Sequence, residues 1–123
     1  MVIIKRDGNL QEYSSEKIKN AIRKVFASEG RVCPENDLQD IVFSIENSIE
    51  LKSSRNEPIT VEWIQDMVEI ELMKKEYFKE VRSYIIYRDE HARTREAIDN
   101  IVDMLGIKKI GQVLKKIQKD FGS

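Results

Sequence analysis

The sequence predicts a mainly α fold of the α+β type, in which a helical bundle is capped by a small N-terminal β-hairpin or sheet and extended by extra C-terminal helices. Two observations predict it. Apolar residues recur every three or four positions along most of the chain, which is the spacing of one helix face. Near the start, an Asp7-Gly8 pair separates two short extended runs, which is a strong hairpin signal. The length of 123 residues suits a single hydrophobic core.

The composition indicates a soluble cytoplasmic protein without a membrane or nucleic-acid partner. Charged residues make up 35% of the chain, which is typical of amphipathic helices with solvated outer faces. Lys and Arg total 21 against 22 for Asp and Glu, so the net charge does not favour anionic partners. No apolar run approaches the ~20 residues of a membrane span. The lone Cys33 cannot form an internal disulfide or a multi-cysteine zinc site.

The first elements follow from turn and capping residues. We expect a hairpin over 2–13, since Gly8 supplies the positive φ of a tight turn. Ser14 and Ser15 offer N-cap hydroxyls for a helix over 15–28. The apolar residues at helical spacing in this helix are Ile18, Ala21, Ile22, Val25 and Phe26.

Three further helices are expected before residue 93. Pro34 suits the first turn of the second helix, 52–58 reads as a polar loop, and Thr60 reads as the N-cap of the third helix. The fourth helix is expected to begin near Glu76–Lys79 and to continue toward Ala92. The apolar residues expected to face the core of these helices are Leu38, Ile41, Val42, Ile45, Ile49, Ile64, Met67, Val68, Leu72, Val81, Tyr84 and Ile85.

The C-terminal part predicts two more helical pieces. A short apolar-periodic piece covers 98–105, and a last amphipathic helix covers 107–121.

Catalytic and metal-binding patterns are absent from the sequence. It has no Walker A loop, no G-x-G-x-x-G and no serine elbow. His91 is the only histidine and is expected to face solvent, while Cys33 has no histidine near it in sequence. We therefore predict a protein that is not an enzyme and has no metal site of its own.

The adjacent cations Lys5 and Arg6 allow two interpretations. They could hold a phosphate beside the Asp-Gly turn, or they could be solvated charges that discourage strand addition at a sheet edge. Because side chains alternate along a strand, only one of the two can point toward the domain body. This segment alone supports both interpretations equally.

The start of the first helix is the second candidate for phosphate binding. A helix N-terminus presents free N–H groups and a positive dipole, and both suit an anion. Lys17 opposes that dipole, a cost that a bound polyphosphate would offset. Alternatively, Lys17 points into water and Glu16 balances its charge.

Three segments of the chain resemble the ATP-cone family, and they occur in the family's order. The first is Val-Ile-Ile-Lys-Arg-Asp-Gly over 2–8, followed by Tyr-Ser-Ser-Glu-Lys-Ile over 13–18. The second is Ile-Thr-Val-Glu-Trp-Ile-Gln-Asp-Met-Val-Glu over 59–69, and the third is Ser-Tyr-Ile-Ile-Tyr-Arg-Asp-Glu over 83–90. The resemblance predicts a cone domain over 1–95 and leaves 96–123 as a C-terminal helical extension, either a linker to a further domain or an oligomerisation helix.

The resemblance implies a nucleotide between the small sheet and the helices. Lys5 and Arg6 would contact its phosphates, with Lys17 meeting them from the helix side. Ile3 and Ile18 would pack near the base.

The remaining implied positions surround the sugar and close the pocket. Gln11, Tyr13 and Ser14 would lie near the base or ribose, and Arg88 would close the pocket. The full implied set is Ile3, Lys5, Arg6, Asp7, Gly8, Gln11, Tyr13, Ser14, Lys17, Ile18, Thr60 and Arg88.

The function implied by the resemblance is allosteric regulation. The domain would bind ATP or dATP, accompanied by Mg²⁺, and would control the activity or oligomeric state of a ribonucleotide reductase. Its partner would be a reductase subunit or a second copy of itself. Two alternatives remain: a stand-alone nucleotide sensor acting on a partner protein or on transcription of reductase genes, and an interaction module that has lost its nucleotide. Repressors with this cone carry a four-cysteine zinc ribbon before it, whereas this chain has one cysteine.

Overall fold

The computed structural model describes residues 1–105, and it confirms the predicted fold class of helices with a small N-terminal sheet. The described chain divides into two units, Met1–Ser83 and a second unit that begins at Tyr84. The elements of the described part are β1 (Val2–Ile4), β2 (Leu10–Glu12), α1 (Ser15–Ser28), α2 (Glu35–Ser54), α3 (Val61–Lys74) and α4 (Phe78–Leu105).

The predicted hairpin is confirmed. β1 and β2 pair antiparallel with Ile3 opposite Gln11. In the turn, the Gly8 N–H donates to the Lys5 carbonyl at 2.9 Å, and the Lys5 N–H donates to the Asn9 carbonyl at 2.8 Å. Gly8 has φ 85°, a left-handed conformation that disfavours other residues, so the turn depends on this glycine.

The other edge of β1 contacts the segment that leads into α3. The Ile4 N–H donates to the Ile59 carbonyl at 2.8 Å, and Ile4 forms a parallel bridge with Thr60. The Thr60 hydroxyl then accepts the Trp63 N–H at 3.1 Å and caps α3, as the sequence predicted. The hairpin is therefore fixed directly to the start of α3.

Apolar side chains from the hairpin and the helices form the core of the first unit. Full burial of each such side chain contributes roughly 1.5–3 kcal/mol. Met67 is only half-buried, and the prediction for Ile85 was wrong, because 46% of its surface is exposed. The buried positions of this unit that were predicted from periodicity and are confirmed are Ile18, Ile22, Val25, Phe26, Leu38, Ile41, Val42, Ile45, Ile49, Ile64, Val68, Leu72 and Val81. Tyr84, which belongs to the second unit, is also buried, as predicted.

Two local predictions around α2 need correction. α2 continues to Ser54, so the loop begins three residues later than the predicted 52–58. The polar residue Lys52 stays helical because its ammonium binds Glu57 at 2.9 Å and lies 5.3 Å from the Trp63 ring centre. Pro34 occupies the N-cap position of α2 and not its first turn.

α4 is one continuous helix of 28 residues, so the predicted break between Ala92 and 98–105 was wrong. Neither glycine nor proline interrupts this stretch, and polar residues alone do not end a helix. The helix predicted over 107–121 lies outside the described residues. Within residues 1–105, no helix combines the length and apolarity needed to cross a membrane.

Candidate functional site

The sheet and the start of α1 carry most of the predicted site residues. Ile3 on β1 and Ile18 on α1 are both buried, and Gln11 lies opposite Ile3 on β2. The Tyr13 N–H donates to the Met1 carbonyl at 2.8 Å, which extends the hairpin ladder to within two residues of α1. The short connection holds the helix start next to the sheet.

Asp7 stabilises the turn of the hairpin. Its carboxylate accepts the Asn9 N–H and the Asn9 side-chain amide, each at 3.0 Å. The Asn9 N–H is the main reason that the Asp7 pKa is lowered, and the Lys5 charge lowers it further. The side chain of Asp7 is thus engaged within the turn, while Lys5 stays partly exposed.

Arg6 forms an ion pair that sequence reasoning missed. Its Nε lies 3.2 Å from Glu62 Oε1 in the first turn of α3, and both side chains are a little over one third exposed. The two residues are far apart in sequence, so no local pattern could have paired them. This pair brings a predicted phosphate-binding cation against a carboxylate.

The N-terminus of α1 differs from the predicted capping arrangement. Ser14 stands at the N-cap with extended backbone, but its hydroxyl makes no capping hydrogen bond. Lys17 is exposed, as expected. Glu16 does not balance Lys17, because its carboxylate lies 3.7 Å from Lys19 and 3.9 Å from Arg23.

The Tyr13 hydroxyl is a buried polar group without a well-formed hydrogen bond among the described residues. Burial raises its pKa, and the nearby Glu46 carboxylate raises it further. Glu46 therefore lies near the hydroxyl, although the two groups do not form a hydrogen bond of good geometry.

Two of the predicted site residues lie outside the hairpin and α1. Thr60 uses its hydroxyl to cap α3. Arg88 belongs to the second unit, so its predicted closure of the pocket stays a prediction.

A groove of about 360 Å³ lies between α1 and α2, and it contains none of the twelve predicted residues. Phe43 lines it and is 67% exposed. The other lining residues are Lys19, Gln39, Asp40, Val42 and Glu46. The hairpin residues, and not this groove, carry the sequence signature.

Cys33 and His91 differ in how far they are buried. Cys33 is buried, and burial followed by the Asp37 charge raises the pKa of its thiol to about 11. Such a thiol is not a nucleophile at neutral pH. His91 is half-buried against Tyr87, with Nδ1 2.9 Å from the Tyr87 carbonyl, so the solvent-facing prediction was wrong. Across residues 1–105, no group of three or more His, Cys, Asp or Glu is arranged to hold a metal.

The hairpin docked on helix starts, with cations at its turn, defines a small helical domain suited to binding an anion. The chain belongs to the ATP cone domain family, whose model matches residues 1–93. The match confirms the resemblance to the ATP-cone family that the sequence motifs indicated. Membership of this family implies nucleotide-binding allosteric regulation.

Three curated relatives carry the same segment. The chain is 37% identical over 124 residues to the ribonucleoside-diphosphate reductase subunit alpha of Treponema pallidum (strain Nichols), covering 98% of this chain and 15% of that protein. It is 33% identical over 101 residues to the subunit of the same name from Chlamydia pneumoniae, covering 77% of this chain and 10% of that protein. It is 34% identical over 94 residues to the anaerobic ribonucleoside-triphosphate reductase of Haemophilus influenzae (strain ATCC 51907 / DSM 11121 / KW20 / Rd), covering 76% and 13%. The chain therefore spans only a small part of the length of these relatives.

Proposed function

We propose that this domain binds ATP and dATP at the junction of the hairpin, α1 and α3, and that occupancy regulates a ribonucleotide reductase. The observation that carries the proposal is the match to the cone family over residues 1–93, together with reductase relatives on the same segment. The domain acts as a sensor and does not catalyse a reaction.

The phosphates are assigned to Lys5 and Arg6 in the hairpin turn and to Lys17 in the first turn of α1. Lys5 and Lys17 have partly or fully exposed side chains that can reach a ligand. Helix α1 supports this assignment because its N-cap hydroxyl leaves the first N–H groups to another acceptor. Mg²⁺ accompanies the triphosphate through phosphate oxygens and water, since it rarely uses an all-protein cage.

The base and ribose are assigned to the apolar side of the hairpin. Ile3 and Ile18 supply buried apolar surface, and Gln11 lies opposite Ile3. The Tyr13 hydroxyl is a buried donor without a well-formed hydrogen bond among the described residues. The Ser14 hydroxyl makes no capping hydrogen bond to α1. These groups suit a ligand with both an apolar ring and hydroxyls.

Thermal unfolding with ATP or dATP tests the proposal. A ligand at about 100 times its dissociation constant stabilises the fold by about 2.7 kcal/mol, which corresponds to several degrees in Tm for a small domain. Magnesium tripolyphosphate is the control, because it presents the phosphates without the base and should give a smaller shift. The absence of a shift with both nucleotides at millimolar concentration would contradict nucleotide sensing.

A further inference from the structure

The contact between Arg6 and Glu62 joins the hairpin turn to the first turn of α3. Arg6 Nε lies 3.2 Å from Glu62 Oε1, and each side chain keeps more than one third of its surface exposed. Oε1 itself is buried, and its contact with Arg6 lacks the geometry of a hydrogen bond. Such a pair contributes little to stability, because two long, partly exposed side chains must be ordered to form it. The Arg6–Glu62 pair is therefore expected to matter little for the stability of the fold.

The hairpin does not need this pair to stay attached to α3. The Ile4 N–H already binds the Ile59 carbonyl at 2.8 Å, and Ile4 bridges Thr60. Ile3 in the strand and Ile59 before α3 are also both buried. The Arg6 side chain can therefore leave Glu62 while the strand remains in place.

We propose that Glu62 sets the nucleotide affinity of the site by competing with the ligand's phosphates for Arg6. This inference rests on the proposed function, since it assumes that a polyphosphate binds at the turn. Glu62 holds Arg6 when the site is empty, and a phosphate replaces the carboxylate when the site fills. Every binding event then has to break the Arg6–Glu62 pair, so the affinity is lower than the cations alone would give.

The competition also gives the ligand a route to α3. Glu62 lies two residues after Thr60, whose hydroxyl caps the helix by accepting the Trp63 N–H. When a phosphate takes Arg6, the Glu62 carboxylate in the first turn of α3 loses this neighbouring cation. Occupancy at the hairpin thus changes the charge environment at the start of a core helix.

Calorimetric titration of ATP into wild type, Glu62→Gln, Arg6→Ala and the double variant tests the proposal. We expect Glu62→Gln to bind ATP about two- to fivefold more tightly, the equivalent of one exposed ion pair. Arg6→Ala should bind more weakly than wild type. In the Arg6→Ala background, Glu62→Gln should raise the affinity for ATP by less than half the factor seen in wild type, because Arg6 is no longer present for Glu62 to hold.

Glu76→Gln is the matched control for the loss of one negative charge. Glu76 is exposed and follows the C-terminal end of α3 by two residues. The 14 residues of α3 span about 20 Å, so Glu76 is separated from Glu62 by more than the screening length of about 8 Å. The Glu76→Gln variant should bind ATP with the same affinity as wild type. Circular dichroism and Tm of each variant establish that the fold is retained.

Four results would overturn the proposal. Weaker binding by Glu62→Gln would make the pair a support for the site, with Arg6 acting as a positioning residue. An equal gain with and without Arg6 would reduce the role of Glu62 to simple repulsion of the phosphates. A total lack of ATP binding by all the proteins would overturn the proposed function as well, whereas normal wild-type binding with an unchanged Glu62→Gln would overturn only the competition.

Discussion

Arg31 Nη1 lies 2.7 Å from Glu80 Oε1, which joins the segment after α1 to the first turn of α4. Glu80 is only 1% exposed, and its second oxygen has no hydrogen bond among the described residues. The Arg31 guanidinium lies 5.8 Å from the ring centres of both Phe26 and Tyr77. A buried carboxylate thus depends on one half-exposed cation.

Arg31→Ala should destabilise the domain by about 1–3 kcal/mol, because it leaves the Glu80 carboxylate buried without its charged partner. Chemical denaturation measures the effect. Arg82→Ala removes an exposed arginine from the same helix as Glu80 and should change the free energy of unfolding by less than about 0.5 kcal/mol. Equal effects of the two variants would show that the buried pair is unimportant for stability.

Thr60 and Ser14 occupy equivalent N-cap positions but use their hydroxyls differently. Thr60→Ala should cost about 1 kcal/mol of stability, since it removes the bond to the Trp63 N–H. Ser14→Ala should cost less than about 0.5 kcal/mol, because its hydroxyl makes no capping bond. Thr60→Ser should restore most of the loss. Denaturation of the three ligand-free variants compares them, and a larger loss for Ser14→Ala would contradict the observed capping.

Tyr77 should make the stability of the fold sensitive to alkaline pH. Its hydroxyl donates to Asp37, and this bond is the main reason that the Tyr77 pKa is raised to about 12. A pKa raised in the folded state means that the stabilisation is present below the unfolded pKa of about 10 and is lost as pH rises toward 12.

Melting curves of wild type and Tyr77→Phe between pH 8 and 12 measure this dependence. Wild type should lose more stability than the variant between about pH 10 and 12, since the variant has no phenol to ionise at this position. Lysine and the other tyrosines titrate in both proteins and cancel in the comparison. Parallel curves would contradict the assigned bond between Tyr77 and Asp37.

Most of the predicted helices and core positions were confirmed, because they depend on local patterns that a sequence shows directly. The Asp-Gly turn, the Thr60 cap and the helical stripes each depend on residues a few positions apart. Errors arose where a local signal was ambiguous. Ser14 looked like a working cap, and the polar residues after Leu51 looked like a loop although the helix continues to Ser54.

The contacts that define the candidate site were beyond the reach of sequence patterns. The bond from Ile4 to Ile59 and the pair of Arg6 with Glu62 join residues more than 50 positions apart. Buried Glu80 was missed because charged residues are usually exposed, and nothing in the sequence near it reveals Arg31 as its partner. The sequence signature identified the residues of the hairpin but not the carboxylate that faces Arg6.

Nucleotide should change how the chain assembles. We expect ATP or dATP to alter its self-association or its binding to a reductase subunit, because a regulator without catalytic groups acts through a surface that changes with occupancy. Size-exclusion chromatography without nucleotide, with ATP and with dATP measures the effect, in each case with and without the reductase subunit. Identical elution profiles under all conditions would contradict an assembly switch.

The affinity of a Lys5→Ala/Lys17→Ala double variant for ATP tests the central claim most directly. Each lysine is proposed to make a charged contact with phosphate worth about 1.5–3 kcal/mol, so each single change should weaken binding roughly ten- to a hundredfold and the double change more. Ligand-free stability should stay within about 0.5 kcal/mol of wild type, because both lysines are at least partly exposed. Lys24→Ala, at an exposed position later on α1, should bind ATP like wild type. A folded double variant that keeps wild-type affinity for ATP would contradict the assignment of the phosphates to the hairpin turn and the start of α1.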